Sequence, residues 1–282
     1  MKEIFFCGFA HTNKVLLKSP IILGLFILTT IFQQVAARVV QVDTPSKLIE
    51  VFQNATGSVN DDIELLADLS FSQSSLALPL GASSNGNCVP YSGTMNGNGH
   101  TIMNLTMNTK SNGSYNHAGV FCNLQNAKVE NLVIDSSCSF TGNNVGALSP
   151  LVKGSLTVSH VINQAVINGS KWVGGLIGSW EKATEGKSVL SFNGCTNEGT
   201  VLCSSSQSGT VGGIFGSVNR QRNMVLYFEK CTNNGNITGN GNVGGFIGSI
   251  DTGSNIDVSI SECTHNGNVN GTGDNVGGLI GF

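Results

Sequence analysis

The chain has 282 residues and a formal net charge of −3, with 11% charged and 40% hydrophobic residues. So small a charge leaves no field to recruit nucleic acid or an anionic membrane, and the dense apolar positions argue against a disordered Gly/Asn/Ser chain. With 37 glycines and few helix-forming runs, the composition points to many short strands and tight turns within one large domain.

Residues 1–37 read as a targeting segment. Lys14 and Lys18 precede an apolar stretch from Ile21 to Phe32, and Val35-Ala36-Ala37 offers small residues for cleavage before Arg38. About 12 apolar residues fall short of the ~20 that a spanning helix needs. A cleaved secretory signal is favoured over an uncleaved signal anchor, although the lead from Met1 to Ser19 is long for a signal. Export would expose six sequons, at Asn54, Asn104, Asn112, Asn168, Asn236 and Asn270. These are either glycan acceptors or the ordinary turns of an asparagine-rich repeat.

Residues 38–90 are expected to form the end piece of a stacked structure. A polar cap at Asp43-Thr44 and a proline at the first turn precede Lys47 to Phe52, which predicts one short helix. Ile63, Leu65, Ala67, Leu69 and Phe71 then alternate with Glu64, Leu66, Asp68 and Ser70, a strand pattern with one apolar exception.

From residue 91 onward the chain repeats itself. Trp172-Val173-Gly174-Gly175-Leu176-Ile177-Gly178 returns in close copies around Gly213, Gly245 and Gly278, with blurred copies around Gly119 and Ala147. The step between equivalent positions is roughly 30 residues and is widest from Gly175 to Gly213; such recurrence marks a repeat architecture. A second phrase, Cys195-Thr196-Asn197-Glu198-Gly199, recurs from Cys231 and from Cys263. In the third full unit the expected strands are Leu226 to Cys231, Asn236 to Thr238 and Val243 to Ile250, with asparagine/glycine corners between them. Three short strands per coil outline an all-β parallel β-helix. One coil buries too few side chains, at ~1.5–3 kcal/mol each, to offset ~1–2 kcal/mol of backbone entropy per residue, so coils must stack.

These two phrases, with the lead-in Ser92-Gly93-Thr94-Met95-Asn96-Gly97-Asn98-Gly99-His100, resemble the GLUG-motif repeat of secreted and surface proteins. The likeness covers roughly residues 90–282. It implies a right-handed β-helix in an extracellular, often adhesin-like protein, and it carries no catalytic residue. The early copies depart from it, with Ala147 at the second glycine and Pro150 and Cys122 at the last.

Candidate chemistry is sparse. Cys195, Cys231 and Cys263 hold one position per coil and are expected to form an inward column, with Val161 and Ile134 at the equivalent place in earlier coils. Cys88, Cys122, Cys138 and Cys203 are the better disulfide candidates, with no pairing deducible. No CxxC pair or histidine cluster indicates a metal. The repeated Gly175, Gly213, Gly245 and Gly278 lack the lysine of a phosphate loop and are read as structural; no cofactor is expected. Asp135, Glu198, Glu229, Asp257 and Glu262 fall at different phases of the repeat, so no carboxylate pair suits glycoside cleavage.

Length varies most between the motif position and the next cysteine or its equivalent. The interval is longest from Gly175 to Cys195, shorter from Gly213 to Cys231 and from Gly245 to Cys263, and shortest from Ala147 to Val161. The charges of the repeats gather there, and Trp180, Lys182, Arg220 and Arg222 are expected to line an interaction edge. The expected function is binding or adhesion at a host-cell, matrix or glycan surface, without catalysis. A polysaccharide-degrading enzyme and a structural surface-layer component are the alternatives. Phe282 falls inside a strand with no polar end piece, so the last coil is expected either to continue in a longer chain or to self-associate.

Overall fold

The computed structural model describes residues 37–281, except 54, 56, 74–75, 111–114, 182–185, 206–208, 219–222, 251–254 and 274. The targeting segment expected over 1–37 lies outside the described residues save Ala37. From Ala37 onward the chain forms one compact unit, a parallel β-solenoid of about six turns with one short helix. Among the described residues no helix is long and apolar enough to cross a membrane.

The helix is Pro45–Gln53. The Thr44 hydroxyl accepts from the Lys47 amide at 3.4 Å, capping the first turn. Leu48 and Phe52 lie one turn apart on the buried stripe. The Phe52 ring meets Tyr91 and Phe121, with centroids 5.9 and 6.0 Å away, so the helix packs onto the first coils. Residues 38–90 pair directly with the first coils. Val39–Val42 pairs in parallel with Asp62–Leu65, which pairs in turn with Thr94–Asn96. Beyond Leu69–Ser70 the expected strand gives way to a short 3-10 turn at Phe71–Gln73, and Leu66, its apolar exception, is exposed.

Three parallel sheets wall the solenoid: a broad one of 16 strands, one of six and one of five. The third full unit begins with Met224–Glu229 and Thr232–Asn233 in the broad sheet. Ile237–Gly239 follows in the six-stranded sheet and Asn242–Gly244 in the five-stranded one, before Ile247–Ile250 rejoins the broad sheet. Two expected strands are thus interrupted. The first breaks at Lys230, which holds the left-handed φ of 52°.

That break is systematic. Asn131, His160, Gly194, Lys230 and Glu262 occupy the same place in five successive coils, each with φ between 52° and 61°. One left-handed residue per coil bends the broad sheet there, and glycine fills the position only once. Inward side chains stack in register on either side. Ile63, Met95, Val129, Val158, Phe192 and Phe228 form one such column and are all buried. The Phe192 and Phe228 rings lie parallel with centroids 4.9 Å apart.

The register confirms the cysteine column and corrects one member of it. Thr196, Thr232 and Thr264 pair across successive coils, which places Cys195, Cys231 and Cys263 in line. Cys195 pairs below with Val161, as expected, but Val161 pairs with Leu132 rather than Ile134. Ile134 lies under Asn163, the start of a different column. Ala118 bridges Val145, one residue away from the register implied by equating Gly119 with Ala147.

Candidate interaction edge

The expected edge is the corner where each coil enters the broad sheet's second segment. In the early coils it is tight. Strands Leu124–Ile134 and Ser149–Asn163 run through it almost unbroken, with a register shift between Lys153 and Leu156. Asn126 and Gly154 take left-handed φ values of 53° and 71° there, and the Asn126 side-chain oxygen accepts from the Ser155 amide at 2.9 Å. A Cβ on Gly154 would fall on that oxygen, so only glycine lets the two corners nest.

In the later coils the corner is longer. Residues 182–185, 219–222 and 251–254 lie outside the described residues, and Lys182, Arg220 and Arg222 are among them. The flanking residues do stack on one edge. Asn223 and Asn255, both left-handed, follow the corners, and the Asn255 amide donates to the Asn223 side-chain oxygen at 3.1 Å. Lys153 meets Glu181 at 3.6 Å and Lys187 reaches Asp257 at 3.8 Å, both exposed pairs.

Trp180 does not belong to this edge. It pairs with Val152 and Val218, both inward-facing, and its own side chain is 1% exposed. Its indole Nε1 donates to the Gly154 carbonyl oxygen at 2.8 Å. The strand Ile177–Glu181 runs further than the repeat phrase indicates, so the corner begins after Glu181 and Trp180 is a core residue.

Beside the tight corners lies a shallow depression of about 340 Å³. Asp62, Thr94, Lys128 and Thr157 form its floor as one outward row across four coils, with Asn126 and Ser155 at its side. The Asp62 carboxylate accepts from the Thr94 amide at 2.7 Å. One acid, one base and several hydroxyls and amides offer hydrogen bonds to a neutral polar ligand.

The acids singled out from the sequence remain apart. Asp135 is half-buried and accepts from the Ser137 amide at 2.8 Å; the Ser137 hydroxyl, then its backbone, holds the carboxyl below the usual range. Glu198 accepts from Gln164, and Glu229 from Asn193, each at 2.9 Å. Among the described residues no group of three or more His, Cys, Asp or Glu side chains is placed to hold a metal.

Cys88 and Cys122 form a disulfide, with Cα atoms 5.9 Å apart. Cys138 and Cys203 are buried thiols whose pKa burial pushes up. Contact with the Cys195 thiol, and then burial, pushes Cys231 up as well. Gly175 and Gly213 back onto Asn197 and Asn233, where a Cβ would collide with the asparagine amide and a neighbouring carbonyl; Gly245 backs onto His265 in the same way. Close backbone approach therefore excludes a side chain at these three positions, whereas nothing lies within 4 Å of the Cβ position of Gly278 in the last coil.

The geometry defines a β-solenoid repeat protein whose described acids and thiols do not converge on one centre. No family model matches the chain. It is 31% identical over 137 aligned residues to Halomucin of Haloquadratum walsbyi, an overlap of 46% of this chain and 1% of that protein. The chain thus spans about a hundredth of that relative's length. Its fold resembles the crystal structure of a candidate immunoglobulin A1 protease from Bacteroides ovatus, with a TM-score of 0.54 over 85% of this chain and 84% of the other. At 12% identity that likeness concerns the fold alone.

Proposed function

We propose that this chain is an exported, surface-associated or secreted solenoid of the GLUG-repeat type, and that it works by binding rather than catalysis. One observation carries the reading: the strands on both sides of the length-variable intervals stay in register from coil to coil, so the flanking Asn223 and Asn255, and the exposed Glu181 and Lys187, fall along one edge. Variable corners on a constant wall are where repeat proteins engage partners. The stretch of Halomucin-like sequence, in a protein named as a mucin, supports an extracellular setting. The partner in this reading is a host-cell, matrix or glycan surface.

The test couples purified protein to beads and measures retention on cells and on immobilised extracellular polymers. Replacing 182–185 and 219–222 with Gly/Ser segments of equal length should abolish retention while the β-sheet circular dichroism is unchanged. Undiminished retention would sink the edge as the binding region. Release of oligosaccharides from a polysaccharide panel would instead favour an enzyme.

A further inference from the structure

The structure sorts the sequons by wall. Of the six, Asn54 and Asn112 lie outside the described residues. Of the other four, two lie in the six-stranded sheet and two at the corner that leads from the broad sheet into it. Asn168 and Asn270 lie within its strands Val166–Gly169 and Val269–Gly271. Asn236 immediately precedes Ile237–Gly239, and Asn104 lies just ahead of Thr106–Asn108. None of the four lies within a strand of the broad sheet, which carries the polar depression and whose strands flank the length-variable intervals, although Asn104 follows its strand Thr101–Met103 directly. The sequence alone could not show this, because the four asparagines come from different coils at unequal spacings along the chain.

Their surroundings rank them. Asn236 is exposed, and it is its side-chain oxygen that is engaged, accepting from the Asn268 amide at 3.0 Å. Asn270 is exposed, on the strand paired with Ile237–Gly239. From strand spacing of ~4.8 Å and a rise of ~3.3 Å per residue, the two lie about 8 Å apart on one outer surface. Asn104 is exposed with a left-handed φ of 59°, and its amide donates to the Ser70 hydroxyl at 2.9 Å. Asn168 is half-buried and its oxygen accepts from Ser204 at 3.1 Å.

We propose that the six-stranded wall is the glycan-bearing face of the solenoid, with N-linked oligosaccharide on Asn236 and Asn270 and a further chain on Asn104. The inference rests on the export reading. The donor is a lipid-diphosphate-linked oligosaccharide. The asparagine Nδ2 attacks its anomeric carbon, the lipid diphosphate leaves and Nδ2 loses one proton, so an N-glycosidic bond replaces the sugar–phosphate bond. The amide keeps its second N–H, so Asn104 can still donate to Ser70, and the Asn236 oxygen still accepts from Asn268. Sugar on Asn236 and Asn270 stands on the six-stranded side and leaves the broad sheet free for contact, whereas Asn104 sits beside the broad sheet at Ser70.

Two forms of the chain separate this idea from export itself. One keeps its own residues 1–36; the other replaces them with an established cleavable signal. Both carry a reporter sequon after residue 282 and are made in animal cells. Total chain, retained and secreted, is treated with peptide-N-glycosidase in heavy-oxygen water and mapped by mass spectrometry. With the replacement signal, the Asn236 and Asn270 peptides should carry the deamidation tag, and Asn236→Gln and Asn270→Gln should each remove one mobility step. A tagged reporter with both native peptides untagged would overturn the proposal. So would tagged chains that are all protease-sensitive, while the double variant N236Q/N270Q resists protease, because these side chains would then not face outward. An untagged reporter only on the form with its own residues 1–36 would overturn export and leave the glycan face standing.

Discussion

The side-chain amide of Asn233 donates to the main-chain carbonyl of Gly245 at 2.8 Å, across the interior of the solenoid. Asn233 is fully buried, and it also accepts at its side-chain oxygen from the Asn197 amide at 2.7 Å. Asn197 accepts in turn from Asn163 at 2.8 Å. The two repeated phrases are therefore parts of one device. The asparagine of the cysteine phrase fills the space left by the glycines of the other, and a hydrogen-bonded amide column joins consecutive coils. Buried amides with all partners in place specify register, whereas an orphaned one costs about 1–3 kcal/mol.

Gly213→Ala should therefore destabilise strongly. The added Cβ would fall on the Gly245 carbonyl oxygen and on the Asn233 amide. Overpacking combined with a disturbed buried hydrogen bond costs on the order of 2–4 kcal/mol. Gly57→Ala serves as the control, since nothing lies within 4 Å of its Cβ position, and it should be neutral or slightly stabilising. Urea denaturation followed by circular dichroism compares them; equal midpoints would refute the interlocking role.

Much of this architecture was legible in the sequence. The glycine phrase and its spacing marked a stacked parallel wall, because a motif repeated once per coil must occupy one place in every coil. Orientation was harder to read. Trp180 sits where the phrase ends, and only the continuation of its strand to Glu181 shows that it points inward. Asn197 and Asn233 looked like corner residues because asparagine favours turns, yet they are buried. Leu132 was missed as the partner of Val161 because the left-handed residue before each, Asn131 and His160, leaves no mark in hydrophobic periodicity. The outward row of the depression draws on four separate coils, so no local window contains it.

The Cys88–Cys122 disulfide joins cysteines with a sequence separation of 34. It ties a stretch that lies outside the repeat to the coil containing Phe121, where Leu80 and Cys122 are also joined through the backbone at 2.9 Å. Loop-closure entropy for that length corresponds to about 3–4 kcal/mol. C88S/C122S should lower the thermal midpoint, and tris(2-carboxyethyl)phosphine should lower that of the native chain by a similar amount without affecting the double variant. A reductant effect on the double variant would show that another disulfide exists.

The remaining thiols should differ in reactivity. The thiolate is the reactive species, but the contact with Cys231 lowers the Cys195 pKa while burial raises that of Cys263, so access rather than pKa sets the order in their column. Cys138, Cys195, Cys203 and Cys231 are buried, whereas Cys263 in the same column as Cys195 is half-buried. In the folded chain at neutral pH, iodoacetamide should label Cys263 first and the other four only on unfolding. Peptide mass spectrometry over a time course reads the order, and early labelling of Cys195 would contradict the inward column.

Acid should weaken the fold through His117. Burial, followed by the Lys171 charge, holds its imidazole below the ordinary histidine value, with Glu181 opposing. Its Nδ1 accepts from the Asn144 backbone amide at 3.3 Å, which only an unprotonated nitrogen can do. The Tyr115 ring packs edge-on against it at 5.4 Å. A base whose pKa is lower folded than unfolded binds more protons in the unfolded state. Stability then falls as pH drops below the unfolded value of about 6.5, and the loss levels off once pH passes below the folded value. Asp43 and Asp135, both held low, add a further loss only at more acidic pH, as the fall continues below the ordinary carboxylate range. The thermal midpoint should therefore decrease between pH 7 and pH 5, and His117→Gln should flatten that limb while leaving the loss at more acidic pH. An unchanged slope between pH 7 and pH 5 in the variant would assign the acid sensitivity to another group.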